Sequence, residues 1–417
     1  MKIKFLFLAF FLFIPYLYSQ TVLKPQQVFD GESMHSNWIV VVEDNQITYA
    51  GPEKDATIPA NAKIIDLNGK TLLPGLIEGH SHILLHPYNE TNWNDQVLKE
   101  SPVERSIRAA VHVKNSLMAG ITTMRDLGTE GAGYSDVYIK KTIEEGIIPG
   151  SRLQVAGPAI VATGAYGPKG FYDGVQVPLG AEEVSGKEEA IRTARRQLGK
   201  GVDLIKIYAD YHWKSGASSL PTFTVEEIKA MVSIAESAGT YVTAHAITPE
   251  GMSRAIEGGV ETIEHGDNGT PEVFQLMKEK GVALCPTLAA GDAIERYKGW
   301  QKGSDPEPEK ITEKRESFKN ALKAGVTILF GGDSGVFTHG ENYRELELMV
   351  EYGMKPLEVL KSATSVNAKY FHLNKLGTIK NGYLADIIAV NGNPLENIKI
   401  MEKVSFVMKD GKIYKNE

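Results

Sequence analysis

The middle of the chain alternates short apolar runs that read as strands with stretches of helical spacing, and this alternation limits the fold more than any other feature. Residues typical of helix ends lie between the apolar runs. Examples are Gly120 as a C-cap and a capping box of Thr224 with Glu227. Eight strands alternating with helices predict an α/β fold of the (β/α)8, TIM-like barrel type. A doubly wound open sheet is the alternative, but no glycine-rich phosphate loop follows an early strand. The eight runs are residues 72–77, 121–126, 152–156, 202–208, 241–245, 260–265, 282–286 and 326–333.

Both ends of the chain are rich in short β-forming segments and lack helical spacing. Residues 38–51 and 385–413 show this character most clearly. Two β-rich ends that flank a long α/β middle predict one small composite β-domain built from both termini. We place this domain at residues 20–71 and 376–417, and the barrel at residues 72–375.

The first residues have the composition of a secretory signal. Lys2 and Lys4 precede a short apolar run, and Ser19 supplies a small residue at the expected cleavage point. The apolar run is too short to span a bilayer comfortably, which argues against the alternative of an uncleaved membrane anchor. We therefore expect residues 1–19 to be a signal peptide. The mature protein would be exported, either periplasmic or secreted, without a stable membrane anchor.

The composition is that of a globular protein with a large core. The 417 residues are 42% hydrophobic and 23% charged, and the formal net charge of −7 comes without a basic stripe. Nucleic acid is therefore not expected as a partner. The single cysteine, Cys285, excludes an internal disulfide and lies in an apolar run, so we interpret it as a core residue without a catalytic role.

Polar residues that can bind a metal stand at the ends of the predicted strands. In a β-strand alternate side chains share a face, so His80 and His82 would point the same way. Each residue alone has a structural explanation, such as a lysine reaching solvent or an aspartate that caps a helix. Together, buried imidazole, amine and carboxylate groups at one barrel face favour a compensating ion. The set is His80, His82, Lys206, His245, His265 and Asp333.

The segments that carry these residues resemble the amidohydrolase superfamily, and in particular its imidazolonepropionase-like and Xaa-Pro dipeptidase-like hydrolases. The resemblance covers nearly everything after the predicted signal. It is specific for the superfamily and much less so for the substrate. It is carried by residues 74–82, Ile205-Lys206, Ala244-His245-Ala246, Glu264-His265-Gly266, Gly332-Asp333, Leu384-Ala385-Asp386 and Asn393-Pro394-Leu395.

The resemblance implies a centre with two divalent metal ions. His80, His82 and Asp333 would hold one ion, and His245 and His265 the other, with Lys206 as a bridging carbamate. Such ions can share a water and lower its pKa, while Asp333 takes its proton and passes it to the leaving amine. Zinc is expected from the imidazole and carboxylate ligands, with manganese or cobalt as alternatives.

One loop departs from the dipeptidase-like pattern. Those relatives often carry Thr-Gly-Gly-His-Gly after the third strand, whereas this chain has Tyr166 at the position of the histidine. A phenol can donate a hydrogen bond to a developing oxyanion but cannot carry a positive charge at neutral pH. We predict a catalytic role for Tyr166, with a surface loop as the alternative. After the fourth strand, Tyr208 and His212 are predicted to bind substrate, with loop packing as the alternative.

These features predict an exported, metal-dependent amidohydrolase that cleaves an amide bond in a small peptide or an N-acyl compound. A one-metal cyclic amide or imine hydrolase, or a deaminase, is the second enzymatic reading. Relatives of that kind usually place a glutamate where this chain has Thr248, and they lack the lysine bridge. An exported metal- or ligand-binding protein is the non-enzymatic alternative. The sequence leaves the oligomeric state open, a homo-oligomer included.

Overall fold

The structure is a computed structural model that describes residues 20–172 and 174–417. The predicted signal peptide, residues 1–19, lies outside the described residues. In the described ranges, no helix combines the length and the apolar character needed to cross a membrane.

The described residues form strands and helices that we number in chain order. The strands are β1 (Thr21–Phe29), β2 (Met34–Ser36), β3 (Trp38–Glu43), β4 (Gln46–Pro52), β5 (Lys63–Pro74), β6 (Leu76–Ser81), β7 (Ile121–Asp126), β8 (Arg152–Val155), β9 (Ile160–Ala162), β10 (Glu182–Val184), β11 (Ile205–Tyr208), β12 (Asp210–Tyr211), β13 (Leu220–Pro221), β14 (Val242–Ala246), β15 (Thr262–His265), β16 (Ala283–Cys285), β17 (Ile387–Asn391), β18 (Val404–Lys409) and β19 (Lys412–Asn416). The α-helices are α1 (Trp93–Lys99), α2 (Pro102–Met118), α3 (Ser135–Glu144), α4 (Gly186–Gly199), α5 (Val225–Ser237), α6 (Pro249–Gly258), α7 (Pro271–Lys280), α8 (Leu288–Tyr297), α9 (Glu309–Ala324), α10 (Tyr343–Glu351), α11 (Pro356–Lys361) and α12 (Asn367–Tyr370).

One mixed sheet joins the two ends of the described chain. Its strands run in the order β19-β18-β17-β5-β1-β3-β4, and β2 pairs with β1. β5 is parallel to β1 and antiparallel to β17, so it lies between strands from opposite ends of the sequence. The boundary expected after residue 71 falls inside β5, because Leu72 to Pro74 still pair with β17.

The parallel strands of the middle region form two sheets. One contains β6, β7 and β8, and the other runs β10-β9-β11-β14-β15-β16. The first predicted strand, residues 72–77, is divided, because β5 ends at Pro74 and β6 begins at Leu76. Gly75 makes this break possible: its N–H donates to Asp386, and a Cβ there would come within 2.2 Å of the Thr122 hydroxyl.

The eighth predicted strand, residues 326–333, is an extended segment held by isolated bridges instead of a regular ladder. Ile328 forms a parallel bridge with Leu284 of β16, and Ser334 forms one with Ser81 of β6. The Asp333 N–H also donates to the His80 carbonyl at 2.8 Å. This segment therefore runs from the second parallel sheet to the first. Alternating parallel strands and helices, together with the mixed sheet, give an α/β protein with an added β-domain.

Local sequence signals account for the helix ends. The Thr224 side chain accepts a hydrogen bond from the Glu227 N–H, and the Glu227 carboxylate accepts one from the Thr224 N–H. The predicted capping box therefore begins α5. Gly120, predicted as a C-cap, has a φ of +95° directly after α2 and its cap residue. The helices pack apolar faces on the parallel strands, and the strand ends are left to position polar side chains.

Candidate active site

The six residues predicted as metal ligands lie together at the carboxyl ends of the parallel strands. His80 and His82 come from the end of β6, Lys206 from β11, and His245 from β14. His265 ends β15, and Asp333 lies in the extended segment that follows α9. The alternation of side chains along β6 does turn both of its histidines towards this centre, since both approach Asp333.

Asp333 is the point on which the imidazoles converge. Its Oδ1 lies 3.5 Å from Nε2 of His82 and 3.7 Å from Nε2 of His80. His80, His265 and Asp333 offer ligand atoms that all lie within 4.8 Å of one another. The His245 and His265 ring centroids are 4.5 Å apart, which places His245 beside this group.

Three buried polar atoms in this centre have no hydrogen-bond partner among the described residues. They are Nζ of Lys206, Nε2 of His245 and Oδ1 of Asp333. Buried polar atoms are normally paired, because an unpaired one loses its hydration without compensation. An amine, an imidazole and a carboxylate left open at one point form a donor set that suits divalent metal ions.

Burial keeps three imidazoles of this centre neutral, those of His80, His245 and His265. Loss of hydration, followed by the charge of Lys206, lowers the pKa of His80 to about 4. The same burial, with neighbouring positive groups, lowers the pKa values of His245 and His265 well below their usual value. Burial also lowers the pKa of Lys206 to about 8. The imidazoles are thus in the form that binds metals, and Lys206 can give up its proton near neutral pH.

Glu264 holds the His80 ring in place, and our sequence analysis gave it no role. Its carboxylate lies 2.9 Å from Nδ1 of His80 and accepts from Arg125 at 2.7 Å. Burial alone would raise the pKa of Glu264, but the Arg125 guanidinium and His80 hold it well below its usual value. With Nδ1 donating to this carboxylate, Nε2 of His80 keeps its lone pair for the centre.

Two other imidazoles are oriented in the same way by different partners. Nδ1 of His82 donates to the Gly128 carbonyl at 2.9 Å, and Nδ1 of His265 hydrogen-bonds with the Thr287 hydroxyl at 2.8 Å. His265, Thr287 and Asp333 have φ values of 77°, 50° and 66°, in the left-handed region that non-glycine residues rarely adopt. Such backbone is typical of functional sites, where it aims side chains that a regular strand could not aim.

A cavity of about 290 Å³ opens beside this centre. Tyr208, predicted to bind substrate, lines it and stacks on His245 with a centroid separation of 4.6 Å. His212, the other predicted substrate-binding residue, lines a neighbouring cavity of about 250 Å³ that also reaches His245, His265 and Asp333. Both residues are therefore within reach of a molecule bound at the centre.

Tyr166 also lines the larger cavity, so the surface-loop alternative for this residue is wrong. It is 5% exposed, although the preceding Thr163 and Gly164 are exposed. Its hydroxyl donates to the Glu130 carboxylate at 2.7 Å. A hydroxyl has one proton, so this bond competes with the predicted donation to an oxyanion. The geometry favours a role for Tyr166 in holding Glu130, a residue that the sequence analysis missed.

Comparisons with known proteins identify the family. Residues 71–414 match the amidohydrolase family. Ochratoxinase from Aspergillus niger is 31% identical over 421 aligned residues, which cover 93% of this chain and 84% of that protein. A crystal structure of a Xaa-Pro dipeptidase with methionine bound in the active site has a TM-score of 0.83 and 32% identity, covering 95% of this chain and 100% of that one. Imidazolonepropionase from Kosmotoga olearia is 23% identical over 92% of each chain.

The matched range contains all six residues of the centre, and the family is generally metal-dependent. The chain therefore belongs to the amidohydrolase family and is a hydrolase that acts on the carbon–nitrogen bonds of amides or peptides.

Proposed function

We propose that the protein is a two-metal amide hydrolase of small peptides or N-acyl amino acids. The observation that carries this proposal is the set of buried atoms of Lys206, His245 and Asp333 that have no partner among the described residues, beside the neutral imidazoles of His80 and His265. Similarity to an ochratoxinase and a Xaa-Pro dipeptidase supports an amide as the bond that is cleaved.

The donor set assigns ligands to each ion. His80, His82 and Asp333 would hold one divalent ion, and His245 and His265 the other. Lys206 would bridge them as a carbamate, because an uncharged amine reacts with carbon dioxide and the product replaces a buried cation by an anionic ligand. Zinc is the metal expected from imidazole and carboxylate donors. When bound, such ions polarise a carbonyl and make water more acidic.

Asp333 is the residue best placed to move the proton. Its Oδ1 accepts no hydrogen bond from the described residues, so it is free to accept from a water in the centre. The same oxygen can then deliver the proton to the nitrogen that leaves the cleaved amide. The left-handed backbone at Asp333 and the bond from its N–H to the His80 carbonyl fix this carboxylate against the imidazoles.

The cavity walls would bind and orient the substrate. A volume of about 290 Å³ suits a compound of dipeptide size. Tyr208 is a wall residue beside the proposed metal ligands, because it stacks on His245 and its ring lies 5.5 Å from Nζ of Lys206. Its hydroxyl would hydrogen-bond with a polar group of the substrate, and His212 would contact the substrate from the neighbouring cavity.

We also propose that the eight parallel runs close into a (β/α)8 barrel, with residues 326–333 as the eighth strand. The bridges from this segment to β16 on one side and to β6 on the other support closure. A closed barrel would place all six residues of the centre on one rim, where barrel enzymes have their active sites.

Export is a further part of the proposal and rests on the composition of residues 1–19. We expect the mature chain to begin at about Gln20 or Thr21 and to be recovered outside the cytoplasm. N-terminal sequencing of the protein from cell fractions tests this, and full-length chain in the membrane fraction would contradict it.

The function is tested by loading the purified protein with zinc, cobalt or manganese and screening it against dipeptides, N-acyl amino acids, lactones and cyclic imides. We expect hydrolysis of the first two classes, two metal ions per chain, and loss of activity with a chelator that added metal restores. One metal per chain with hydrolysis or deamination of cyclic compounds alone would favour the second enzymatic reading.

A further inference from the structure

Glu130 is a buried carboxylate in the wall of the active-site cavity. It is only 2% exposed, and among residues 20–172 and 174–417 no lysine or arginine forms an ion pair with it. Two other acidic residues around the centre differ in this respect. Asp267 pairs with Lys314, and Glu295 pairs with Lys298. An unpaired carboxylate in a cavity wall is costly unless a ligand supplies the opposite charge.

One oxygen of Glu130 is fixed and the other is left open. Oε2 accepts from the Tyr166 hydroxyl at 2.7 Å and from Nε1 of Trp93 at 2.9 Å. Oε1 lies 3.7 Å from Nδ1 of His82, but that nitrogen donates to the Gly128 carbonyl at 2.9 Å. Within the described part of the chain, Oε1 therefore receives no hydrogen bond.

Arg105 is the positively charged side chain behind the loop that carries Glu130, and its guanidinium already makes hydrogen bonds to other groups. Its three guanidinium nitrogens donate to the backbone carbonyls of Leu84, Thr129 and Glu130. These bonds hold the loop that carries Glu130, whose φ is 48°, without reaching the carboxylate. The carboxylate is thus presented to the cavity by the loop, and no lysine or arginine of the described residues pairs with it.

Aromatic rings line the same cavity as Glu130. There are five such rings, and four of them contact one another. The Tyr166 centroid lies 5.4 Å from that of Trp93 and 4.7 Å from those of Tyr208 and Tyr211. Burial, followed by the charge of Glu130, raises the pKa of Tyr211 to about 12, as expected for a ring close to this carboxylate. We call these rings the aromatic box; its members are Tyr88, Trp93, Tyr166, Tyr208 and Tyr211.

A carboxylate inside an aromatic box is the chemistry that recognises an ammonium ion. The ring faces attract a cation, and a charged acceptor adds a strong hydrogen bond. We propose that Glu130 and the aromatic box bind the protonated α-amino group of the substrate, so that the protein prefers peptides with a free N-terminus to N-acylated compounds. This inference rests on the proposed amide hydrolysis and narrows its substrate class.

The position of Glu130 fits an α-ammonium group. A single imidazole ring, that of His82, separates Oε1 of Glu130 from Oδ1 of Asp333. In a peptide a single carbon separates the α-ammonium nitrogen from the carbonyl carbon of the first peptide bond. In the proposed binding mode the ammonium group contacts Glu130 while this carbonyl lies beside Asp333.

The kinetic test compares Ala-Pro with N-formyl-Ala-Pro, which share the scissile bond and differ in the charge at the N-terminus. We expect the metal-loaded wild type to prefer Ala-Pro in kcat/KM by about 10–100-fold, the range of a charge-assisted hydrogen bond. Glu130→Gln should lower this preference at least tenfold while metal content stays at two per chain. Glu144→Gln is the matched control, because that side chain is 59% exposed on α3.

Two results would overturn the inference. One is an equal fall in kcat/KM for both peptides in Glu130→Gln, which would mark Glu130 as a structural residue of the loop. The other is loss of metal in the same variant, which would make Glu130 a positioning residue for His82.

A binding measurement separates failure of the inference from failure of the proposed hydrolysis. Calorimetry with the metal-loaded protein should show binding of phenethylammonium and at least tenfold weaker binding of the neutral 2-phenylethanol. Glu130→Gln should remove the difference. If no amide is hydrolysed but this difference is found, the hydrolytic proposal fails and the ammonium site stands. If amides are hydrolysed and the two probes bind alike, the ammonium site fails and the hydrolytic proposal stands.

Discussion

At the scale of single residues, the centre is organised by bonds on the outer nitrogens of its imidazoles. His80 is held by Glu264, His82 by the Gly128 carbonyl, and His265 by the Thr287 hydroxyl. Each partner accepts or shares the Nδ1 proton, so the Nε2 atoms face the same point. Lys206 has no such partner in the described residues, which leaves its Nζ open for the proposed bridge.

Replacement of Lys206 tests the bridging role. Lys206→Ala should lose most activity and much of its bound metal while the circular dichroism spectrum stays native, because only an interior ligand has been removed. Metal analysis and kinetics measure both effects, with the exposed Lys229→Ala as control. Short carboxylic acids should restore part of the activity by supplying the missing anionic ligand. Full metal content in the variant would contradict the bridge.

The pH dependence of metal loading gives an independent test of the same residue. The pKa of Lys206 is lowered to about 8, and only its uncharged amine reacts with carbon dioxide. The pKa of His80 is lowered to about 4, so that imidazole does not titrate above pH 7. At a constant concentration of dissolved carbon dioxide, stripped protein should therefore take up zinc faster at pH 8.5 than at pH 7. Loading that is independent of bicarbonate would argue against the carbamate.

Tyr166→Phe distinguishes the two roles considered for that hydroxyl. If it only holds Glu130, its loss should raise KM for Ala-Pro by about 3–10-fold and leave kcat nearly unchanged, since the Glu130 carboxylate loses one of the two donors that position it. If it donates to the oxyanion, kcat should instead fall by about 10–1,000-fold at constant metal content. Steady-state kinetics on the two peptides decides between these outcomes.

These residues also show how far the sequence could be interpreted. His80, His82 and Lys206 could be predicted because regular strands place them at a shared edge. Glu264 carried a signal that we did not use: it directly precedes His265 on a strand buried on both faces, so it had to point inward. Glu130 lies in an irregular loop at positive φ, where no periodicity reveals which way a side chain points.

At the scale of elements, α8 and α10 together set the position of His265. Thr287, the residue before α8, has left-handed backbone and gives its hydroxyl to His265 instead of capping the helix. Glu345 of α10 takes over the cap and accepts from the N–H groups of Leu288 and Ala289 at 3.0 and 2.6 Å. A cap supplied from another helix thus frees Thr287 for the active site.

Removal of this cap should affect both stability and the site. Glu345→Ala leaves two buried N–H groups unpaired, so we expect the free energy of unfolding to fall by about 2 kcal/mol or more. The affinity for metal should fall as well, because His265 loses a fixed partner. Denaturant unfolding and metal titration measure these effects, with Glu347→Ala on the same helix as control. Unchanged metal affinity would show that Thr287 keeps its place without the cap.

The contribution of Glu345 to stability should change with pH in a defined direction. Burial raises the pKa of Glu345 to about 8 from its usual value near 4.5, so the folded state holds a proton that the unfolded state releases. Stability due to Glu345 should therefore decline as the pH rises from 4.5 to 8. Glu345→Gln cannot ionise, so the difference in unfolding free energy between wild type and variant should be larger at pH 5 than at pH 8. An equal difference at both values would contradict this.

At the scale of the whole molecule, the buried carboxylate of Asp386 is one of the groups that join the mixed sheet to the parallel strands. Asp386, just before β17, accepts from Arg152 of β8 at 2.7 Å and from the Asp410 N–H at 2.9 Å. Its backbone carbonyl accepts from Gly75, at the break between β5 and β6. The C-terminal segment around Asp386 is therefore bound to the amino-terminal ends of the strands that carry the active site.

Loss of the contact between Asp386 and Arg152 should destabilise the mixed sheet and the parallel strands together. Asp386→Ala leaves the mostly buried Arg152 without the more deeply buried of its two counter-charges, and we expect the free energy of unfolding to fall by about 2–3 kcal/mol. Asp410→Ala is the comparison, since that carboxylate is 42% exposed and should contribute under about 1 kcal/mol. Equal effects in denaturant titrations would contradict the difference in burial.

The mixed sheet has a consequence for how the protein is made. β5 has β1 on one side and β17 on the other, and β17 is separated from it by the whole sequence of the parallel strands. A ribosome releases the N-terminal strands first, so one edge of β5 stays open until residues 387–391 have emerged. Open strand edges pair readily with other chains. Premature termination shortly before β17 should therefore yield insoluble protein, and the risk of aggregation is concentrated in the last moments of synthesis.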